Sequence, residues 1–341
     1  MLGHDHHHGD THTHDHDHHG PAHGHTHGPV DPTILTSERG IWATKWSLAG
    51  LAVTALLQLL VVYFSGSVAL LADTIHNFGD AATAIPLWVA FTLVQRKPSR
   101  RFTYGYGRVE DLAGVAVVLT ILVSAVVAGY ESVQRLLHPQ TVQYLWAVIL
   151  ASMAGFLGNE AVALFRIRVG KEIGSAALIA DGYHARVDGL ASLAVLVGAV
   201  GVWMGYPLAD PLIGLIITLL ILRIVWESGR VVFTRLIDGV DPEVVDQIER
   251  TITQTPGVRD VGEVRVRWLG HRLHAEINLA VDPRLSVAEG HAVATEARHQ
   301  LLHNLGYLSN ATIHVDPASS SGEEHHRIEN HLHGGLEPHS H

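Results

Sequence analysis

The chain has 341 residues, of which 47% are hydrophobic and only 16% are charged, a composition typical of a membrane protein with a soluble remainder. Its formal net charge of −10 argues against a nucleic-acid partner. Cysteine is absent, which excludes disulfides and thiolate metal sites, whereas histidine is abundant at 27 residues.

Residues 1–40 are predicted to form a disordered N-terminal tail, because their first part is histidine interleaved with Gly, Asp and Thr and cannot form a core. Twelve histidines lie between His4 and His27. The interleaving favours a native tail that collects metal loosely over an artificial tag, whose histidines are usually consecutive. No cleavable signal is expected, since no short apolar segment with a cleavage site precedes the long apolar run that begins near Ile41.

A transmembrane domain is predicted over residues 41–237, where six apolar segments approach or exceed the roughly 20 residues needed to cross a bilayer. Their predicted limits are 42–64, 68–95, 110–136, 143–166, 175–204 and 208–229. Lys and Arg concentrate in the second-to-third connection and in the fourth-to-fifth, which is predicted to carry Arg166, Arg168 and Lys171. The positive-inside rule then places both termini in the cytoplasm of a protein integral to the cell (inner) membrane.

The second and fifth segments carry one shared pattern, A-D-x-x-H-x-x-x-D. On a helix, His76 and Asp80 lie one turn apart on one face, and so do His184 and Asp188. Two such helices facing each other would offer two imidazoles and two carboxylates, a tetrahedral set suited to a divalent first-row metal, zinc above all. Ionisable groups at membrane depth are costly without a partner or water. The repeated motif therefore favours a passing metal ion over a buried polar network that only holds the bundle together.

Two further carboxylates, Asp73 and Asp181, lie about one turn before these histidines. We interpret them as supporting groups that orient the ligands. Direct ligation, proton carriage and a place near the mouth of a cavity remain alternatives for both.

A small α+β domain is predicted over residues 238–317, with helices on one face of a sheet and the element order α-β-β-α-β. Local signals support each element. These signals are a helix cap at Asp241-Pro242, strand-like alternation over 258–267 and 273–281, a capping box at Ser286 and Glu289 that opens a helix to about Leu305, and a short strand at 311–315. The polar, histidine-bearing tail 318–341 is predicted to be disordered.

These features resemble the cation diffusion facilitator family over about residues 40–316. The resemblance rests on six spans, the paired H-x-x-x-D motifs in the second and fifth, and the small C-terminal domain. Leu-Leu-Ala-Asp at 70–73 and the Y-G-x-x-[RK]-x-E stretch at 104–110 strengthen it. The resemblance implies a homodimer in the lipid bilayer that exports divalent metal, commonly in exchange for protons. It places the transport site on the four motif residues, with a histidine first in the motif going with zinc preference over cadmium.

The same resemblance implies two further features. A charged interlock between protomers would fall on Arg108 and Asp238. A regulatory zinc site in the metallochaperone-like cytoplasmic domain would use His291, His314 and Asp316. Two positions that carry histidine in a bacterial relative are Gly262 and Asn278 here, and the neighbouring His271 and His274 are the candidate replacements.

Three alternatives remain open at this stage. The same architecture could export Fe²⁺, Co²⁺, Ni²⁺ or Mn²⁺, since a His₂Asp₂ set does not exclude them. A membrane metalloenzyme would need an open coordination position and a general base, and no such motif is visible, so we expect no enzymatic activity. A metal sensor or store would depend on the histidine-rich tails rather than on the spans.

Overall fold

The computed structural model describes residues 32–65, 84–138, 144–206 and 208–319. Its first part is helical, with α1 (Pro32–Ser65), α2 (Ala84–Val94), α3 (Arg108–Leu137), α4 (Leu145–Ile173), α5 (Ala176–Trp203) and α6 (Ala209–Leu236). All of these except α2 are long and apolar enough to cross a membrane, which gives five candidate spans among the described residues. Most of the predicted second span, with its Asp73, His76 and Asp80, lies outside the described residues.

The helices reach further toward the C-terminal domain than the hydropathy predicts. α1 begins at Pro32, inside the stretch predicted as tail, and α4 continues to Ile173. The assignment of Arg166, Arg168 and Lys171 to a connecting loop is therefore wrong. With 29 residues at about 1.5 Å each, α4 is longer than the hydrocarbon core is thick, so its charged end extends past it.

A sharp turn joins α4 to α5. Gly174 has φ 73°, a left-handed conformation that glycine adopts without strain, and it ends α4. Ser175 then caps α5 by accepting a hydrogen bond from the backbone N–H of Leu178. The two helices pack closely, because a Cβ on Gly182 would lie 3.0 Å from the backbone nitrogen of Ile167. This contact holds the fifth-span motif directly against α4.

The C-terminal domain has the predicted order, with α7 (Pro242–Thr253), β1 (Val258–Leu269), β2 (Arg272–Val281), α8 (Val287–Asn304) and β3 (Leu308–Pro317). β2 is the central strand, antiparallel to β1 and parallel to β3, and α8 makes the crossover to β3. The predicted capping box at Ser286 and Glu289 is confirmed, with both of its hydrogen bonds present. The core of the domain contains Ile248, Ile252, Leu273, Ile277 and Leu301, all nearly inaccessible to solvent.

Candidate metal site

The fifth-span pair of predicted ligands lies on one face of α5. His184 Nδ1 is 3.9 Å from Asp188 Oδ1, and the His184 side chain is fully buried whereas 13% of the Asp188 side chain is exposed. Neither ring nitrogen of His184 has a hydrogen-bond partner in the part of the chain that the structure describes. A buried imidazole left in this state loses its water without compensation, and a metal ion would supply the missing partner. The local geometry therefore fits the chemistry of a ligand.

The predicted supporting residue Asp181 is paired with an arginine. Arg166 of α4 places Nη1 3.0 Å from Asp181 Oδ2, and both side chains are at most 1% exposed. Arg166 also donates from Nε to Ser47 Oγ of α1 at 2.8 Å. Sequence reasoning missed this arginine because it was counted among loop charges. Its position within the apolar run of the fourth span was the signal that could have identified it.

A cavity of about 520 Å³ lies between α3, α4, α5 and α6, and Asp188 is part of its wall. Hydroxyl groups of Ser124, Ser152 and Ser192 line it together with apolar side chains. Asp188 is on the wall of this cavity and His184 lies beside it, so the cavity reaches the two predicted ligands of α5.

The cavity extends away from the C-terminal domain. Its wall includes Arg135 near the end of α3 and Asp210 near the start of α6, which form an ion pair at 3.1 Å. The opposite end of α3 contacts the C-terminal domain, where Asp111 Oδ2 accepts a hydrogen bond from the backbone N–H of Gly270 at 3.2 Å. The cavity thus connects Asp188 with the end of the bundle that faces away from that domain.

His271, considered as a replacement metal ligand, instead belongs to a buried junction between the C-terminal domain and the membrane helices. Its Nδ1 is 2.6 Å from Glu110 Oε2 of α3, and its Nε2 is 2.7 Å from Thr36 Oγ1 of α1. The other oxygen of Glu110 accepts a hydrogen bond from Ser175 Oγ at 2.5 Å. His271 and Glu110 are essentially inaccessible to solvent. Both ring nitrogens of His271 are therefore engaged, and its interpretation as a replacement ligand is wrong for this structure.

Arg108 and Asp238 form an ion pair within a single chain. Arg108 also donates to the backbone carbonyls of Arg235 and Leu236 at 3.1 and 3.3 Å, which joins the start of α3 to the end of α6. The pair therefore joins the first turn of one span to the residues that lead into the C-terminal domain. Its role between protomers remains a prediction.

The proposed regulatory ligands are only partly brought together in one chain. His314 Nε2 lies 3.0 Å from Asp316 Oδ1 on β3, whereas His291 is exposed on α8. Among the residues that can be described, no group of three or more His, Asp or Glu side chains is placed to hold a metal. His274 has a pKa below its usual value, first because it is partly buried and then because Arg267 and Arg272 are near, so its ring stays neutral at physiological pH.

Comparison with known proteins gives a consistent result over nearly the whole described chain. Residues 45–237 match the family "Cation efflux transmembrane domain", and residues 240–318 match "Cation efflux protein, cytoplasmic domain". A relative from Mycobacterium tuberculosis H37Rv, called "Probable cation efflux system protein", is 55% identical over 289 residues, which cover 85% of this chain and 87% of the relative.

Two more distant relatives differ in the role that their names give. The magnetosome protein MamB of Magnetospirillum gryphiswaldense is 27% identical over 286 residues, covering 83% of this chain and 95% of MamB. The manganese efflux system protein MneP of Bacillus subtilis is 26% identical over 295 residues, covering 83% of this chain and 99% of MneP. These similarities do not select one metal.

Proposed function

Because the chain belongs to the cation diffusion facilitator family of cation efflux transporters, we propose that it exports a divalent metal, Zn²⁺ in the first place, in exchange for protons. The cation is held by His76, Asp80, His184 and Asp188, two ligands from each of two spans. The observation that carries the proposal is the buried imidazole of His184, unpartnered among the described residues and adjacent to an aspartate that lines a polar cavity. Imidazole and carboxylate together suit zinc better than they suit the hard cations Mg²⁺ or Ca²⁺.

Exchange with protons follows from the chemistry of imidazole. A histidine binds metal only through a neutral nitrogen, so a proton and a cation compete for His184 and His76. The cation would enter from the cytoplasmic side, the helices would rock, and protons arriving from the opposite side would displace the cation. The polar cavity beside Asp188 supports a state that is open on the side of release.

The dimer and the regulatory site belong to the same proposal. We place the protein in the cell (inner) membrane as a homodimer with both termini in the cytoplasm. His314 and Asp316 are adjacent and His291 is exposed, an arrangement that a second protomer could complete into a metal site. The pair of Arg108 and Asp238 would support the protomer contact near the inner membrane face.

The ion itself is the open part of the proposal, with Fe²⁺, Co²⁺, Ni²⁺ and Mn²⁺ as the alternatives. The decisive experiment is uptake into reconstituted vesicles, with each metal offered alone and a pH gradient imposed or absent. We expect the largest flux with Zn²⁺, and we expect it to fall when the gradient is collapsed. A larger flux with Mn²⁺ would change our assignment of the transported ion and leave the proposed exchange mechanism as it is.

The controls separate the other classes of protein. Vesicles with the chain lacking residues 1–28 should retain flux, because the proposed transport site lies in the spans. A sensor or store that depends on the tail would instead lose its function in this variant. Vesicles with Asp188→Ala supply the background of an intact protein without a complete site. If no divalent metal crosses faster with the wild type than with this variant, the proposed function is wrong.

A further inference from the structure

The two sides of the candidate site differ in the structure. Away from the C-terminal domain, a polar cavity reaches Asp188. Toward that domain, Asp181 lies about one helical turn before His184 and is fully buried against Arg166. The start of α5 lies on the domain side, because Ser175, its cap, donates to Glu110 in the junction with His271. The buried ion pair therefore lies between the candidate ligands and the side of the C-terminal domain.

The ion pair connects three helices. Arg166 of α4 contacts the carboxylate of Asp181 at 3.0 Å and its backbone carbonyl at 3.4 Å, both on α5. Arg166 also donates to Ser47 of α1. These contacts hold the three helices together. A movement of α5 against α1 and α4 must therefore break them.

The pair is incompletely satisfied. Within the described ranges, Nη2 of Arg166 and both side-chain oxygens of Asp181 have no partner with hydrogen-bond geometry, although one of those oxygens is within ion-pair distance. A buried ion pair of this kind contributes little to stability, and apolar residues of similar volume often serve as well or better. Packing between the three helices does not require these charges, so their presence points to a functional role.

Building on the proposed function, we propose that Arg166 and Asp181 form the gate that closes the cation site on the side of the C-terminal domain. While the gate is closed, the guanidinium group repels a divalent cation and neutralises Asp181. When the gate opens, Arg166 leaves and the Asp181 carboxylate faces the incoming cation, one helical turn before His184. Arg166 is thus a positioning residue that controls access and does not ligate the cation.

Access to the cavity can be tested directly because the chain has no cysteine of its own. A single Ser192→Cys substitution places a thiol on the cavity wall. Vesicles of both orientations are treated with a charged, membrane-impermeant thiol reagent, and protease sensitivity of the C-terminal domain identifies the orientation. With the gate intact and its open form populated at 10% or less, labelling from the far side should be about tenfold or more faster than labelling from the domain side.

Breaking the pair should abolish this difference. We expect Arg166→Gln and Asp181→Asn each to bring the two labelling rates together, because the domain side is no longer closed. The exchange of charges in the double variant Arg166→Asp with Asp181→Arg should restore the one-sided pattern. A cysteine at Asp246, which is exposed on α7 in the C-terminal domain, is the matched control and should label from the domain side at the same rate in all backgrounds.

The outcomes decide the proposal independently of metal transport. A one-sided pattern that persists in either folded single variant overturns the gate, as does equal labelling from both sides in the intact pair. If the wild type moves no metal yet the variants lose the one-sided pattern, the gate stands and the proposed cargo fails. If metal is transported and the pattern is insensitive to Arg166, the cargo stands and the gate fails.

Discussion

Replacing Asp188 by alanine is expected to reduce metal flux about 100-fold or more, at least as much as the loss of an outer-shell partner costs other metal sites. Asp188 is the predicted ligand that the structure places on the cavity wall, and His184 is beside it at 3.9 Å. Without the carboxylate the cation would lose both a ligand and the negative charge that offsets its dehydration. Flux into reconstituted vesicles at saturating metal, compared at equal protein density, measures the effect.

The control for this variant is another aspartate that lies outside the membrane domain. Asp246 is exposed on α7, and Asp246→Ala should transport at the wild-type rate. Equal protein yield and equal thermal stability of the two variants would show that the loss is local. A transport rate within about twofold of wild type for Asp188→Ala would remove this residue from the site, since a ligand is worth far more than that.

Replacing His271 by alanine is expected to detach the C-terminal domain from the membrane helices. His271 is the buried hydrogen-bond partner of Glu110, and removal of one partner of a buried polar pair typically costs about 1–3 kcal/mol or more because the other group is left unsatisfied. The hydrogen bond to Thr36 is lost as well. The connection between α6 and α7 should then become open to protease, and the temperature of unfolding in detergent should fall.

Limited proteolysis between Leu236 and Pro242 measures this effect most directly. His303 is exposed near the end of α8, and His303→Ala is the matched control that should cleave no faster than wild type. The variant Glu110→Gln with His271→Ala should recover part of the stability, since no charge is then left buried. Unchanged cleavage in the His271→Ala variant would show that the junction does not hold the domain.

The sequence predicts those features that depend on local spacing. The motif in the fifth span works in this way, because residues four apart on a helix share a face whatever surrounds them. The caps at Asp241 and Ser286 are also local, and both are present in the structure. The order of helices and strands in the C-terminal domain follows from the same kind of signal.

The features that the sequence did not predict depend on contacts between distant segments. Arg166 was assigned to a loop because hydropathy alone does not show where a helix longer than the bilayer ends. Its partner Asp181 lies on the next helix, across the turn at Gly174. His271 contacts Glu110, a residue 161 positions earlier, and only the packing of the C-terminal domain against the helices brings the two together.

The two unexpected clusters both involve the start of α5. Ser175 caps this helix and donates to Glu110 in the junction, and Asp181 binds Arg166 less than two turns later. The helix that carries His184 and Asp188 is therefore linked at its cap, through Glu110 of α3, to the junction with the C-terminal domain, and it contacts α4 one turn before His184. These contacts hold the part of α5 that lies toward the C-terminal domain, just before the two predicted ligands.

The central claim is that one cation is shared by the motif of the second span and the motif of the fifth. X-ray absorption at the metal edge tests it most directly, on a chain trimmed to residues 29–319 with His314→Ala to limit binding elsewhere and loaded with one equivalent of Zn²⁺. We predict a four-coordinate shell of nitrogen and oxygen with two imidazoles, and the loss of one imidazole in His76→Ala and in His184→Ala alike. A shell that keeps both imidazoles in either variant would contradict the shared site.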